Sequence, residues 1–365
     1  MIDIEVFKKT TLLQSELRGE IWDWCIEQLV WPAIKNLEGV THEDWIPLDS
    51  TALAKSFASL RNRCHRAGVP LSYTDFVKDI LERKSNHSNI LKIRARYEIK
   101  PSVLKELMSY WGVDTVSDLR KEIEKRWVNT NLGRSISDYV PSPGNPRGRR
   151  YLKGGINLQN CSSEVRRQMT KGGFEYDVES CHIALLQNYA LRIGIESPLL
   201  DSMIWGKRIL RQRIANECQI SIDDAKTLMQ ALTYGAQMTL STSPFKALGK
   251  IIPQKEKQLK FLEIIEPYNE ILQKVIDALL EKLDDPDMNW VRQKFEGESK
   301  KTRIFRFLET KEWQVLCVIA QSVDQQILVL QHDGLTSPFN VDTDVIIEDI
   351  QNRLGLHLMI DSKEV

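Results

Sequence analysis

The sequence Gln331-His332-Asp333-Gly334, near the C-terminus, is the stretch on which the interpretation of this chain depends. It lies between the apolar run 327–330 and a second short run at 335–339. Asp-Gly between two strand-like runs is a strong signal for a β-hairpin. An aspartate at the tip of a hairpin can hold a divalent cation, because hard cations prefer carboxylate oxygens on a rigid support. Taken alone, Asp-Gly more often marks a plain surface turn, so the rest of the chain decides between these interpretations.

The composition indicates a folded protein that works inside a cell. At 365 residues the chain is long enough for two domains. Its 50 Lys and Arg balance its 50 Asp and Glu, so a polyanionic partner must be contacted through local clusters of charge. The six cysteines are scattered without CxxC spacing, which is typical of reduced thiols. The chain has no apolar run of transmembrane length and no signal-peptide pattern. This predicts an intracellular, cytoplasmic protein without membrane contact, compatible with a phage, plasmid or organellar origin.

Two domains are predicted, with the boundary in a segment rich in Pro, Gly and Asn at 139–151. Residues 1–133 carry apolar residues at helical spacing and predict an all-helical N-terminal domain, with helices at 12–31, 50–66, 74–83, 101–111 and Val116–Trp127. Residues 134–365 alternate strand-like and helical periods, including a basic helix at 205–218, a helix at 312–323 and a closing strand at 357–360. Their order predicts an α+β domain in which helices back a small antiparallel sheet.

A second carboxylate, Asp177, lies at the end of the strand-like run 173–178 and just before a helix at 180–193. Together, Asp177 and Asp333 would bring two carboxylates from distant segments to one place, as a two-metal site for phosphoryl transfer requires. The alternative interpretation is that Asp177 caps the following helix.

A helix predicted at 222–234 is opened by Ser221 and Asp224, which have the spacing of a capping box. At 100° per residue one side of this helix is polar, with Lys226, Gln230, Thr233 and Tyr234. Lys226 can hold a triphosphate as a point charge. Gly235 follows and allows close backbone approach. A solvated helix face would have the same pattern.

The segment 134–171 is basic, with eight Lys or Arg against two acidic residues. Such a segment suits contacts with a phosphate backbone. The candidate nucleic-acid contacts are Arg147, Arg149, Arg150, Asn157, Gln159, Arg166 and Arg167. A basic loop can also be merely solvated.

In this order, these motifs resemble those of the family A DNA polymerases and the related single-subunit RNA polymerases of phages and mitochondria. The motifs are Gly-Arg followed by Asn157-Leu158-Gln159-Asn160, the strand-end Asp177, Lys226 with Tyr234-Gly235, and His332-Asp333. The resemblance covers residues 145–360, and the N-terminal 130 residues carry no match.

The resemblance implies a right-hand-type polymerase palm with helical fingers and no proofreading domain. It implies that Asp177 and Asp333 hold two Mg²⁺ ions, for which Mn²⁺ can substitute. The catalytic residues it implies are Asp177, Asp333, Lys226 and His332. Of these, His332 would position the primer 3′ end or orient Asp333. The incoming nucleotide would be contacted by Lys226, Gln230, Tyr234, Gly235 and His182, and Arg149 with its basic neighbours would hold the primer–template.

Three departures from the family pattern leave the choice of sugar open. The arginine one turn before the motif lysine is replaced by Ile222, so Arg208, Arg211 or Arg213 would supply that charge. The glutamate that follows the second aspartate in DNA-making relatives is replaced by Gly334. The position of the residue that closes against the ribose 2′-hydroxyl is occupied by His182.

Three functions follow as hypotheses. The first is a DNA polymerase acting on primer–template DNA and nucleoside triphosphates. The second is an RNA-synthesising primase or small RNA polymerase, using a DNA or RNA template. The third is a non-catalytic nucleic-acid-binding replication protein. Residues 1–133 would act as a reduced thumb or would recognise a template or a replication partner protein.

Overall fold

The computed structural model describes residues 31–34, 46–48, 81–84, 96–99, 104–105, 108–109, 111–131, 133–142, 144–153, 155–233, 238–241, 247–331 and 333–365. The chain forms two compact units. One consists of Met1–Leu132 and Gly154–Met169, and the other of Gly133–Lys153 and Thr170–Val365. The segment 154–169, which follows the predicted boundary, therefore clusters with the N-terminal part of the chain.

The first unit contains a three-stranded antiparallel sheet, so the prediction of an all-helical N-terminal domain is wrong. Its strands are β1 (Ile46–Leu48), β2 (Leu81–Lys84) and β3 (Arg96–Ile99), in the order β1-β3-β2. The helix predicted at 74–83 ends in residues that form β2. Strands of three or four residues are too short for their periodicity to be distinguished from that of a helix, and backbone pairing with distant segments decides their structure. The helices predicted at 12–31 and 50–66 lie outside the described residues apart from Trp31.

The described helices of this unit are α1 (Trp31–Ile34), α2 (Val116–Trp127) and α3 (Ser163–Met169). The bounds predicted for α2 are confirmed, and the Thr115 side chain caps it by accepting a hydrogen bond from the Asp118 N–H. The buried Glu124 carboxylate accepts a 2.7 Å hydrogen bond from the Ser162 N–H and ties α2 to the start of α3.

The second unit contains the strand pair β4 (Tyr139–Ser142) and β5 (Asn145–Leu152) and a four-stranded antiparallel sheet. The sheet consists of β6 (Phe174–Val178), β7 (Val329–Leu330), β8 (Gly334–Ser337) and β9 (Ile360–Glu364), in the order β7-β8-β6-β9. The small antiparallel sheet predicted for this region is therefore confirmed. The closing strand begins at Ile360, whereas the sequence predicted it at 357–360.

Helices supply most of the buried core of the second unit. They are α4 (Cys181–Arg192), α5 (Pro198–Ile204), α6 (Lys207–Cys218), α7 (Ile222–Thr233), α8 (Ala247–Ile251), α9 (Lys255–Lys282), α10 (Pro286–Lys294), α11 (Lys300–Ser322) and α12 (Thr343–Leu354). α11 begins well before the predicted 312–323 because Ser299 caps it by accepting a hydrogen bond from the Thr302 N–H. In the described part of the chain, no helix is both long and apolar enough to cross a membrane.

The segment predicted as a flexible boundary is instead the β4–β5 hairpin, which packs on α11. The buried Asn145 side chain donates hydrogen bonds to the Arg306 carbonyl and the Glu309 carboxylate. The Tyr139 hydroxyl accepts a hydrogen bond from the Leu330 N–H. Pro and Gly exclude a helix here, but they are compatible with a two-stranded ribbon, where few ladder hydrogen bonds are needed.

Candidate active site

The two aspartates predicted from the sequence lie side by side, Asp177 in β6 and Asp333 directly before β8. Asp177 of β6 is in register with Gly334 of β8, and the Val178 N–H donates a 3.0 Å hydrogen bond to the Asp333 carbonyl. The two carboxyl groups are close enough to interact directly. Burial raises the pKa of Asp177 to about 7, and the charges of Asp333 and Glu175 add to this effect. Two facing carboxylates cannot both ionise at low cost without a cation between them.

Gly334 is required by this close approach of the strands. A Cβ atom at this position would lie 2.4 Å from the Tyr176 carbonyl oxygen and 3.1 Å from Asp177 Oδ1. Gly334 is the first residue of β8, and the Gln331 N–H donates a 2.8 Å hydrogen bond to its carbonyl. The glycine therefore belongs to the strand, whereas the sequence placed it in the turn. A glutamate has no room at this position.

A pocket that encloses about 660 Å³, open solvent included, lies beside Asp333 in the second unit. Four of the predicted residues line it: Arg149, His182, Gln230 and Asp333. Two cations from α6, Lys207 and Arg211, line it as well. The pocket therefore joins one carboxylate of the pair to three basic side chains.

Of the three arginines named as replacements for the missing motif arginine, Arg211 is the one at the pocket. Partial burial lowers the pKa of Arg211, and the charge of Glu179 opposes that shift. Lys207 Nζ lies 3.1 Å from Glu179 Oε1. By contrast, Arg208 and Arg213 line a different, open surface on the outer side of α6.

α7 presents the predicted faces, and the Asp224 N–H donates a hydrogen bond to the Ser221 hydroxyl at its start. Its apolar side is buried, through Ala225, Leu228, Met229 and Leu232. Gln230 lines the pocket, whereas Lys226 is exposed and outside the pocket lining. The other predicted residues of this motif, Tyr234 and Gly235, lie outside the described residues, as does His332.

A buried cluster of three residues forms one wall of the pocket. Glu312 of α11 is 1% exposed and accepts two hydrogen bonds from Arg149, 2.8 Å from Nε and 3.0 Å from Nη2. Its Oε2 also lies 2.5 Å from Nε2 of His182, which is 5% exposed. Burial acts to raise the pKa of Glu312, but His182 and Arg149 outweigh burial and hold it below its ordinary value. The cluster therefore fixes His182 at the pocket wall.

The arginines of the hairpin lie against the helices. Arg147 Nη1 lies 3.0 Å from Asp287 Oδ1, and its guanidinium stacks over Trp290. The Arg150 guanidinium stacks over Trp313. Together with the Arg149–Glu312 pair, these contacts engage all three arginines in the second unit.

The other predicted nucleic-acid contacts belong to the first unit. The Asn157 side chain is buried, and its Oδ1 accepts hydrogen bonds from the Gln159 and Asn160 N–H groups, so it shapes a turn. Arg166 and Arg167 lie on α3, half-buried and exposed respectively.

Sequence analysis missed Lys207 and Glu312. Lys207 belongs to a helix that the sequence predicts to be basic. Its charge could be predicted, but the sequence does not show that its side chain lies at the pocket. Glu312 lies in the polar run Glu309-Thr310-Lys311-Glu312, so the sequence carries no sign that its side chain is buried against two basic partners.

The aspartate pair fits a divalent cation, because two adjacent carboxyl groups are hard oxygen donors and a cation between them would favour the ionised form of Asp177, whose pKa is raised. The described residues include no group of three or more His, Cys, Asp or Glu that could hold a metal ion. Two protein carboxylates suit Mg²⁺, which usually keeps waters and substrate oxygens among its ligands.

The chain matches no protein-family model and, in sequence, no curated protein. In structure it is similar to the POL domain of Pol1 from M. smegmatis, solved in complex with DNA primer-template and dNTP, with a TM-score of 0.42 and 12% identity. The similarity covers 86% of this chain and 65% of that one, so this chain spans less than two thirds of the length of its neighbour. At this distance the functional assignment rests on the site residues themselves.

Proposed function

We propose that this chain is a template-directed nucleotidyltransferase, a DNA polymerase. The observation that carries the proposal is the Asp177–Asp333 pair beside a pocket lined by Lys207, Arg211 and Arg149. Paired carboxylates next to clustered cations are what transfer of a charged phosphoryl group needs. In this proposal the four-stranded sheet is the palm, and α6 and α7 are the fingers.

Asp177 and Asp333 would hold two magnesium ions, or manganese in their place. When bound, such ions supply activation of the attacking hydroxyl and neutralisation of charge on the phosphates. The two aspartates would thus contribute ionised carboxylates in fixed positions as ligands. Their strands fix them through main-chain hydrogen bonds, including that from Val178 to the Asp333 carbonyl.

Lys207 and Arg211 would hold the triphosphate at the pocket, with Gln230 as a hydrogen-bonding partner for the nucleotide. Arginine is always charged and offers several donors in a fixed plane, which suits phosphate oxygens. Lys226, Tyr234 and Gly235 remain proposed nucleotide contacts on and after α7, and His332 a positioning residue for the 3′ end. Arg149 would act on the substrate through the pocket wall that it shares with Glu312.

His182 would discriminate between sugars, because its ring is buried and held against the Glu312 carboxylate at the pocket wall. A ring held in this position would either exclude a ribose 2′-hydroxyl sterically or form a hydrogen bond with it. RNA synthesis, by a primase or a small RNA polymerase, is therefore the second candidate. It is favoured by the histidine and by the lack of room for a glutamate at Gly334.

The test is extension of a labelled primed template with Mg²⁺, offering dNTPs and NTPs separately. We expect extension with dNTPs that is abolished by Asp333→Asn and retained by Asp344→Asn, a change at an exposed aspartate in the first turn of α12. Unprimed incorporation of NTPs would support the RNA-synthesising alternative. Absence of incorporation with strand binding intact would support a non-catalytic binding protein.

An unchanged dNTP/NTP ratio in His182→Gly would contradict the role of His182 in sugar choice.

A further inference from the structure

The outer side of α6 combines exposed apolar side chains with positive charge. Ile209 is 78% exposed and stands among Arg208, Gln212 and Arg213, which are exposed too. Four residues earlier, at the end of α5, Trp205 is 61% exposed. A single exposed apolar residue needs no explanation, but two large exposed apolar side chains at the junction of α5 and α6, next in sequence to exposed arginines, mark this junction as a candidate binding surface. We call Trp205, Arg208, Ile209, Gln212 and Arg213 the outer face of α6.

This helix is locally far more basic than the chain. Its twelve residues include four Lys or Arg and one Glu, whereas Lys plus Arg and Asp plus Glu balance over the whole sequence. Two of the four cations, Lys207 and Arg211, line the pocket, and the other two, Arg208 and Arg213, lie on the outer face. Positive charge therefore runs around α6 from the pocket to the outside.

The basic side chains of the β4–β5 hairpin in the second unit are already engaged. In the β4–β5 hairpin, Arg147 pairs with Asp287 and Arg149 with Glu312. On the outer face of α6, by contrast, the salt bridge that Arg213 forms within the described part of the chain is an exposed (i, i+4) contact of 2.8 Å with Glu217 of the same helix, and the charge of Glu263 acts on it from α9. Such exposed pairs contribute little free energy, so a phosphate can replace the carboxylate at small cost.

We propose that the outer face of α6 binds single-stranded nucleic acid. Trp205 would stack on a base, Ile209 would cover an adjacent base, and Arg208 and Arg213 would contact phosphates. Aromatic rings combined with a positive groove are the features by which proteins bind single strands without reading sequence. A second copy of this chain is a poorer occupant, because it would bring two net-positive helices together. The identity of this strand as the template that continues beyond the pocket rests on the proposed function. The proposal that the outer face binds a single strand does not depend on it.

The test measures binding alone, in an Asp333→Asn background, by fluorescence anisotropy of a labelled single-stranded oligonucleotide of about 20 nucleotides, which is longer than one binding module covers. We expect Arg208→Ala/Arg213→Ala to lower affinity and to reduce the slope of log K against log salt by about 1.4, for two lost phosphate contacts. We expect Trp205→Ala to lower affinity about tenfold with an unchanged slope.

The matched control is Lys282→Ala/Lys294→Ala, which removes two exposed cations at the ends of α9 and α10. Affinity within about twofold of the parent is expected there, because these lysines lie outside the outer face. The thermal midpoint of each variant, followed by circular dichroism, verifies folding. Equal losses in the control and the arginine variant would overturn the proposal, as would unchanged affinity in Trp205→Ala and Arg208→Ala/Arg213→Ala.

Two further outcomes separate this proposal from its alternatives. A concentration-dependent dimer that Ile209→Ser abolishes, seen by sedimentation, would overturn it in favour of a contact between copies of this chain. If the wild-type protein incorporates no nucleotide, and the outer-face variants lose strand binding, the polymerase function would be contradicted and the α6 site supported. Normal extension with unchanged strand binding would overturn the α6 site alone.

Discussion

Gly334 shows how one residue without a side chain permits the aspartate pair to form. We expect Gly334→Ala to destabilise the protein by about 1–3 kcal/mol, because the new methyl group would overlap the Tyr176 carbonyl oxygen. The matched control is Gly144→Ala, where the nearest atom, Arg306 Nη1, would be 3.5 Å from the new Cβ, an ordinary contact. Urea unfolding of both variants gives the measurement. Equal stability of the two variants would contradict the steric explanation.

The aspartate pair is costly to the fold when no cation is present. At neutral pH and with chelator, we expect Asp333→Asn to raise the stability of the protein by about 0.5–1 kcal/mol, the scale of a like-charge pair across two strands. Mg²⁺ should raise the thermal midpoint of the wild type and have little effect on Asp333→Asn. Calorimetry with and without Mg²⁺ measures both effects. A chelator-treated variant less stable than the wild type would argue against mutual repulsion.

Glu312 is held ionised inside the second unit by two basic partners. Removing one partner from a buried ion pair typically costs about 3–5 kcal/mol, so we expect Glu312→Gln to be strongly destabilising and to change the dNTP/NTP ratio by freeing His182. Glu309→Gln is the control, because Glu309 lies 3.9 Å from Arg149 and leaves its paired hydrogen bonds to Glu312 intact. Chemical unfolding and the extension assay provide the two measurements.

The pH dependence of this cluster has a definite sign. The pKa of Glu312 in the folded protein is below its ordinary value of 4.5, so its stabilisation is present above pH 4.5 and is lost as the pH falls through the folded value. Glu312→Gln should therefore show a shallower loss of stability on acidification than the wild type. Identical slopes below pH 4.5 would mean that Glu312 is not the group that titrates.

At the scale of the element, α6 is a helix with two functional sides. We expect Lys207→Ala/Arg211→Ala to raise the KM for the nucleotide at least tenfold at saturating primer–template, since each charge-assisted contact contributes about 1.5–3 kcal/mol. Arg208→Ala/Arg213→Ala should leave that KM nearly unchanged and weaken strand binding. Steady-state kinetics for both variants make the comparison. Equal effects on KM would mean that the two sides of α6 do not have separate roles.

At the scale of the whole molecule, the segment 154–169 belongs to the first unit although it follows the β4–β5 hairpin in the chain. Its buried Ile156, Leu158 and Val165 belong to the unit that contains α2, and Lys121 of α2 pairs with Glu164 of α3. A chain starting at residue 134 should therefore expose these side chains and self-associate. Light scattering and hydrogen exchange at 154–169 would show this, whereas a monomer with protected amides there would contradict it.

What the sequence determined by itself is local. α2 and its Thr115 cap, the Ser221 cap of α7 and the strand–helix order around Asp177 depend on contacts between residues a few positions apart, which periodicity and capping rules describe. The aspartates and Arg149 could be named because their residue types and order resemble a known family. The meeting of the two carboxyls was predicted in the same way, but that Gly334 must be a glycine and that Glu312 joins Arg149 to His182 were decided only by the tertiary structure. These contacts link segments more than a hundred residues apart, and their burial and strand register leave no periodic trace in the sequence.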